Sequence, residues 1–214
     1  MLALIAAAAM AAPSPTPAGS QLKTIATVRS TPFCTSIAQH FNAAVSPMLA
    51  NDRALDQIDP QLVDLNDAFN HPDYQIRYGR VRAKLIQYVN QIQKNLPFIQ
   101  TEINGLRKGE ALTKDPQDAH DIRQIAEKLQ LAYDKQMQLA TDLTGVIHAM
   151  MEYNPPADLD VAAQEMNEAQ TPEEMRNVKS YLKFDGQRDV VNQAENAAAD
   201  SAITLVENRC SVTK

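Results

Sequence analysis

The sequence predicts an all-α protein: an elongated antiparallel helical bundle with a coiled-coil-like helical hairpin over about residues 72–153, its N- and C-terminal helices joined by a disulfide. Three observations carry this. Apolar residues recur three and four apart over long stretches, the repeat of one face of a helix. With 44% hydrophobic residues but only 6 Gly, no Trp and 5% aromatics, the core must be built from Ala, Leu, Ile and Met, which suit packed helices better than a pleated sheet. The 2 cysteines, Cys34 and Cys210, stand near opposite ends of the chain, as a stapling pair would in an oxidising compartment.

The elements follow in chain order. Residues 1–12 are apolar but too short to span a bilayer, which takes about 20 residues, so they read as the core of a signal peptide. Thr16, Pro17 and Ala18 offer a small-x-small site, so residues 1–18 are expected to be removed. No Lys or Arg precedes the run, so the usual basic start is missing. Residues 19–32 carry Ile25 and Val28 among Thr and Ser and predict an extended lead-in lying against the bundle. Residues 33–214 are long enough for one core and are read as a single helical-bundle domain.

The first helix starts near Phe33 with the stripe Cys34, Ile37, Phe41, Ala44 and Met48. Pro47 is expected to kink it, because proline removes a donor and crowds the preceding turn. After Leu55 and Ile58, Asp59 and Pro60 give a cap followed by proline, predicting a new short helix with Leu62, Leu65 and Phe69. His71 and Pro72 open the next long segment, whose stripe is Tyr74, Tyr78, Val81, Leu85, Tyr88 and Ile92, then Leu96, Ile99, Ile103 and Leu106. A one-residue slip beside Pro97 predicts a kink there. Gly109 is the candidate for a left-handed residue at its end.

Asp115 and Pro116 repeat the cap-then-proline signal. Behind them runs the most regular stripe in the chain: Ile122, Ile125, Leu129, Ala132, Gln136, Leu139, Leu143, Val146 and Met150. Strict alternation of three and four predicts coiled-coil-like packing at a shallow angle, in a helix over residues 116–153 about 57 Å long. Pro155 and Pro156 stop it. The short link to the preceding helix predicts an αα-hairpin centred near Leu112. That register sets Leu85 against Leu139, Val81 against Leu143, Tyr78 against Val146, Tyr74 against Met150, and Tyr88 against Gln136, whose burial is thereby expected. Residues 159–169 read as a short helix. Thr171, Pro172, Glu173 and Glu174 form a capping box for another ending near Lys183. Gly186 then precedes a last helix with the soft stripe Val191, Ala194, Ala198, Ala202 and Leu205, ending at Cys210. An antiparallel first and last helix would bring Phe41 near Ile203.

Function is bounded mainly by exclusion. A net charge of -6 argues against a nucleic-acid partner, because phosphate binding is driven by Lys and Arg releasing counterions. His40, His71, His120 and His148 do not stand three after a Glu, so the Glu-x-x-His pair of di-iron bundles is missing. Covalent-haem and zincin motifs are missing too, and 6 Gly leave little for phosphate loops or a nucleophile elbow. Cys34 with His40 as base is the sharper alternative to a disulfide, but nothing orients that pair. His148 with Met48 is a conceivable haem or copper pair, although Met at helical spacing is usually core filler.

Arg77, Arg80 and Lys84 share a helix face and read either as an anion site or as partners of the acidic stretch from Glu152 to Glu174. Gly145 inside a helix suggests a close packing contact. No cofactor or metal is expected. The reading is an exported (periplasmic or secreted), non-enzymatic structural or protein-interaction module, partnering another protein or itself, with no integral membrane segment after signal cleavage. The alternative is a periplasmic small-ligand-binding or sensor-like bundle in which Asn51, Asn95 and Gln136 line a pocket.

Overall fold

The structure is a computed structural model and describes residues 22–25, 28–68, 72–152 and 172–211. Most of these residues lie in four long helices: α1 (Pro32–Ala68), α2 (Tyr74–Lys108), α3 (Pro116–Glu152) and α4 (Pro172–Leu205). A 3-10 turn, Gly109–Leu112, joins α2 to α3, and a π turn, Val206–Cys210, closes α4. The all-α prediction holds, and the 37 residues of α1 and of α3 make each about 55 Å long. Predictions for residues 1–18, for Phe69 and His71 and for the helix at 159–169 lie outside the described residues, as do the side chains of Leu62, Leu65 and Met150.

Local chemistry sets the helix starts. The Cys34 N–H donates to the Thr31 hydroxyl (3.2 Å), which caps α1 with Pro32 at the first helical position. Asp115 does the same for α3, accepting from the Gln117 N–H (2.9 Å) with Pro116 next, as the sequence predicts.

Breakers expected from the sequence do not interrupt the helices that hold them. α1 runs unbroken through Pro47 and Pro60, so the separate helix predicted from Asp59 does not exist. An interior proline costs about 3 kcal/mol, yet around Pro47 the residues Ala44, Val45, Met48 and Asn51 are fully buried, and their packing offsets the loss. α4 likewise continues through Gly186, a residue that costs a helix only about 1 kcal/mol. At the end of α2, Gly109 is right-handed (φ -61°, ψ -23°). The chain tightens there into the 3-10 turn, which takes up terminal carbonyls without a left-handed residue.

The helices pack in order, α1 on α2, α2 on α3 and α3 on α4. Their apolar side chains form two clusters. One holds Leu55 and Ile58 of α1, Tyr74 to Ile92 of α2, Leu139 to Ile147 of α3, and Val191. The other holds Ile37 to Met48, Ile99 to Leu106, Ile122 to Ala132, Ala194 to Leu205, and Leu22 of the lead-in. The α3 stripe is buried from Ile122 to Val146, with Ala126, Ala140 and Ile147 forming a second buried row that lets α3 pack against both α2 and α4.

On α2 the buried residue after Leu85 is Val89, while Tyr88 is half-buried. The irregular step therefore falls one turn after Leu85 and not beside Pro97. The hairpin register also differs from a centre at Leu112. Gln100 and Gln130 exchange amide hydrogen bonds (3.0 Å each way), where that centre would set Gln100 against Gln124. The 3-10 turn lengthens the first arm before Pro116 opens the second, moving the apex onward. The core residues named for the pairing, Tyr78, Val81, Leu85, Leu139, Leu143 and Val146, still share one cluster.

Candidate functional site

Between the two apolar clusters lies a polar level to which every helix contributes. Asn95 of α2 donates from Nδ2 to Asn51 Oδ1 on α1 (2.8 Å). Asn51 donates from Nδ2 to Gln136 Oε1 on α3 (2.8 Å). Gln136 donates from Nε2 to Glu195 Oε1 on α4 (2.7 Å). Asn51, Gln136 and Glu195 are at most 1% exposed, so this chain of bonds crosses the bundle interior. Its sense is set at its end, where Glu195 Oε1 is the acceptor: the Gln136 amide nitrogen turns toward it and the amide oxygen toward Asn51.

Asn51, Gln136 and Glu195 are three of the five buried polar or charged residues among those described, the others being Asp52 and Asn192. Burial of Gln136 is as predicted, but its partners are Asn51 and Glu195, not Tyr88, because the shifted hairpin register sets it level with Asn95. Sequence periodicity marked Asn51, Asn95 and Gln136. It missed Glu195, which sits one position beyond Ala194 and outside the soft stripe named for that helix. Arg188 stands at the edge of the level, paired with Asp56 across α4 and α1. Burial pushes its guanidinium below the usual arginine range, against the pull of Asp52, Asp189 and Glu195.

A second focus is the end of the bundle where α1 begins and α4 stops. Cys34 and Cys210 are joined, with Cα atoms 5.5 Å apart, so Cys34 is not a nucleophile. From Leu205, α-helical spacing would turn position 208 or 209 inward. The wider π turn instead buries Cys210 and leaves Arg209 exposed, a shift of a kind periodicity cannot show. It also displaces the predicted register of α4: Ile203 is 41% exposed, while Phe41 packs in the cluster that includes Ala202 and Leu205. Arg209 reaches Asp115 and Asp118 at the start of α3 (2.8 Å each), where acidic side chains also complement the helix dipole. The lead-in joins here as well: the Arg29 N–H donates to the Cys210 carbonyl (2.9 Å) and its Nε to that of Ser211 (2.7 Å).

Elsewhere the predicted candidates separate. His40 bonds Glu102 through Nδ1 (2.7 Å). His148 is exposed on α3, while Met48 is buried in the opposite half of the core. Arg77 pairs with Asp73 of its own helix start (2.7 Å), and the side chains of the acidic stretch expected to face it lie outside those described. Gly145 makes no close contact: a β-carbon there would meet nothing within 4 Å. Among the described residues no group of three or more His, Cys, Asp or Glu is arranged to hold a metal, and no helix is long and apolar enough to cross a membrane. A shallow cleft of about 260 Å³ between α3 and α4 is lined by Asp121, Gln124, Lys128, Asp200, Ser201 and others, and Lys128 donates to Ser201 across it. No protein-family model, curated protein or solved structure matches the chain.

Proposed function

We propose that this chain is an exported helical bundle acting as a structural or protein-interaction module, without catalysis of its own. The observation that carries this reading is the polar level. Asn51 and Gln136 each donate to and accept from other members of the level, so the polar groups best placed to meet an internal ligand hold the helices together instead. The buried disulfide supports export, since such bonds persist in oxidising compartments. The apolar residues 1–12 and the small-x-small site ending at Ala18 support removal of a signal peptide.

The ligand-binding or sensor-like reading has one observation in its favour, the convergence of Asn51, Asn95 and Gln136 at a single level. It requires that level to open, and to exchange its internal hydrogen bonds for bonds to a ligand.

Intact-mass spectrometry of protein purified from its native host without reductant, with and without thiol alkylation, tests the proposal together with an optical spectrum. A mass beginning near Gly19, cysteines that react only after reduction, and no visible absorbance are expected. Retention of residues 1–18 with two free thiols overturns export. A coloured sample overturns the ligand-free module in favour of the cofactor-binding bundle.

A further inference from the structure

Helices α1 and α4 feed one core, yet their backbones scarcely approach each other closely. Leu22, Ile25 and Arg29 of the lead-in pack or bond to both sides of this seam. Leu22 is only 4% exposed and belongs to the cluster of Phe41, Ala44 and Ala198. Three residues on, Ile25 packs half-buried against the same cluster, and both of its main-chain hydrogen-bonding groups are held by one side chain. The Ile25 N–H donates to Asn42 Oδ1 (2.6 Å), and Asn42 Nδ2 donates to the Ile25 carbonyl (2.8 Å). Further on, Arg29 is tied to the Cys210 and Ser211 carbonyls.

An amide that grips both hydrogen-bonding groups of one residue recognises extended backbone whatever side chain it carries, and an apolar pocket beside it supplies the preference. We infer that this seam is a recognition groove for an extended peptide of the form Leu-x-x-Ile, occupied in this structure by the chain's own Leu22 and Ile25. The occupant it takes in trans is the same segment of a second copy, since exchange of an identical element between copies needs no new complementarity. The inference rests on the groove alone and does not depend on export or on the absence of catalysis. The tethered segment competes at the high effective concentration that a short link imposes, so the groove is closed to other copies until its own segment lifts.

The test uses the full chain carrying Leu22→Asp and Ile25→Asp, which unseats the segment without touching Asn42, and a fluorescent peptide of residues 19–31. Fluorescence anisotropy is expected to show saturable binding to this variant and at least about tenfold weaker binding to the unaltered chain. Adding Asn42→Ala to the variant should weaken binding by about tenfold, the effect of removing two hydrogen bonds. No saturable binding to a variant that keeps its helical circular dichroism, or equal binding by all three proteins, overturns the inference. Should the variant not fold, hydrogen exchange on the unaltered chain decides. The Ile25 amide must be protected, and that protection must be lost in Asn42→Ala while the protection of Phe41 and Ala44 is kept. An Ile25 amide that exchanges freely overturns the inference.

Discussion

The imidazole of His40 rests on Gly105 so closely that a β-carbon at that position would lie 2.4 Å from Nδ1 and 2.5 Å from Cε1. This glycine is required by contact between α1 and α2, since no glycine among the described residues has a positive φ. Gly105→Ala should swing the ring off Glu102 and destabilise the fold by about 1–3 kcal/mol, the usual range for overpacking. In a His40→Ala background the same substitution should cost much less, because the clashing ring is gone. Urea denaturation of the four proteins measures both effects.

Gly145 and Gly79 are the opposite case. A β-carbon at either meets nothing within 4 Å, and both lie inside long helices. Gly145→Ala and Gly79→Ala should each stabilise by about 0.5–1 kcal/mol, mainly by restricting the unfolded chain. A lower denaturation midpoint for either would show that the backbone there needs glycine.

Gln136→Leu removes the middle of the polar level and leaves Asn51 and Glu195 each short of one partner in the buried interior. With about 1–3 kcal/mol for each of the two stranded groups, a loss of about 2–6 kcal/mol is expected. Replacing Asn51, Gln136 and Glu195 together by Leu should recover much of that loss, since removing a whole buried network often costs less than breaking it. Equilibrium denaturation of single and combined variants, analysed as a cycle, provides the measurement. Additive losses would contradict the coupling.

Reducing the bond between Cys34 and Cys210, or replacing both by Ser, should lower stability by about 2–5 kcal/mol, because the bond closes a loop of 176 residues' separation and restricts the unfolded ensemble. The denaturation midpoint with and without reductant reads this directly. An unchanged midpoint would mean that the unfolded chain already holds its ends together.

What the sequence made legible follows from how far each signal reaches. The bounds of α3 were readable because Asp115 and Pro116 act on their own turn and because the apolar stripe is a one-helix property. Pairing of the two cysteines followed from there being no other candidate. By contrast, Pro47, Pro60 and Gly186 act locally against a helix, and whether they win depends on neighbours far away in the chain. Glu195 as the partner of Gln136, and Val89 in place of Tyr88 on the α2 seam, depend on the angle at which whole helices face one another. The π turn changes the phase of the last inward residue, which a stripe ending at Leu205 does not encode. Within the polar level, three of the four residues carried a signal, as polar interruptions of apolar rows. Their bonding order needed the fold.

The bond between Cys34 and Cys210 also has a mechanical meaning. Once the lead-in has lifted, a pull on the two ends of the chain enters the bundle at the start of α1 and the end of α4. A tensile load from either side therefore passes from one sulfur to the other and bypasses the helices between them, so the bundle stays unstretched until a covalent bond gives way.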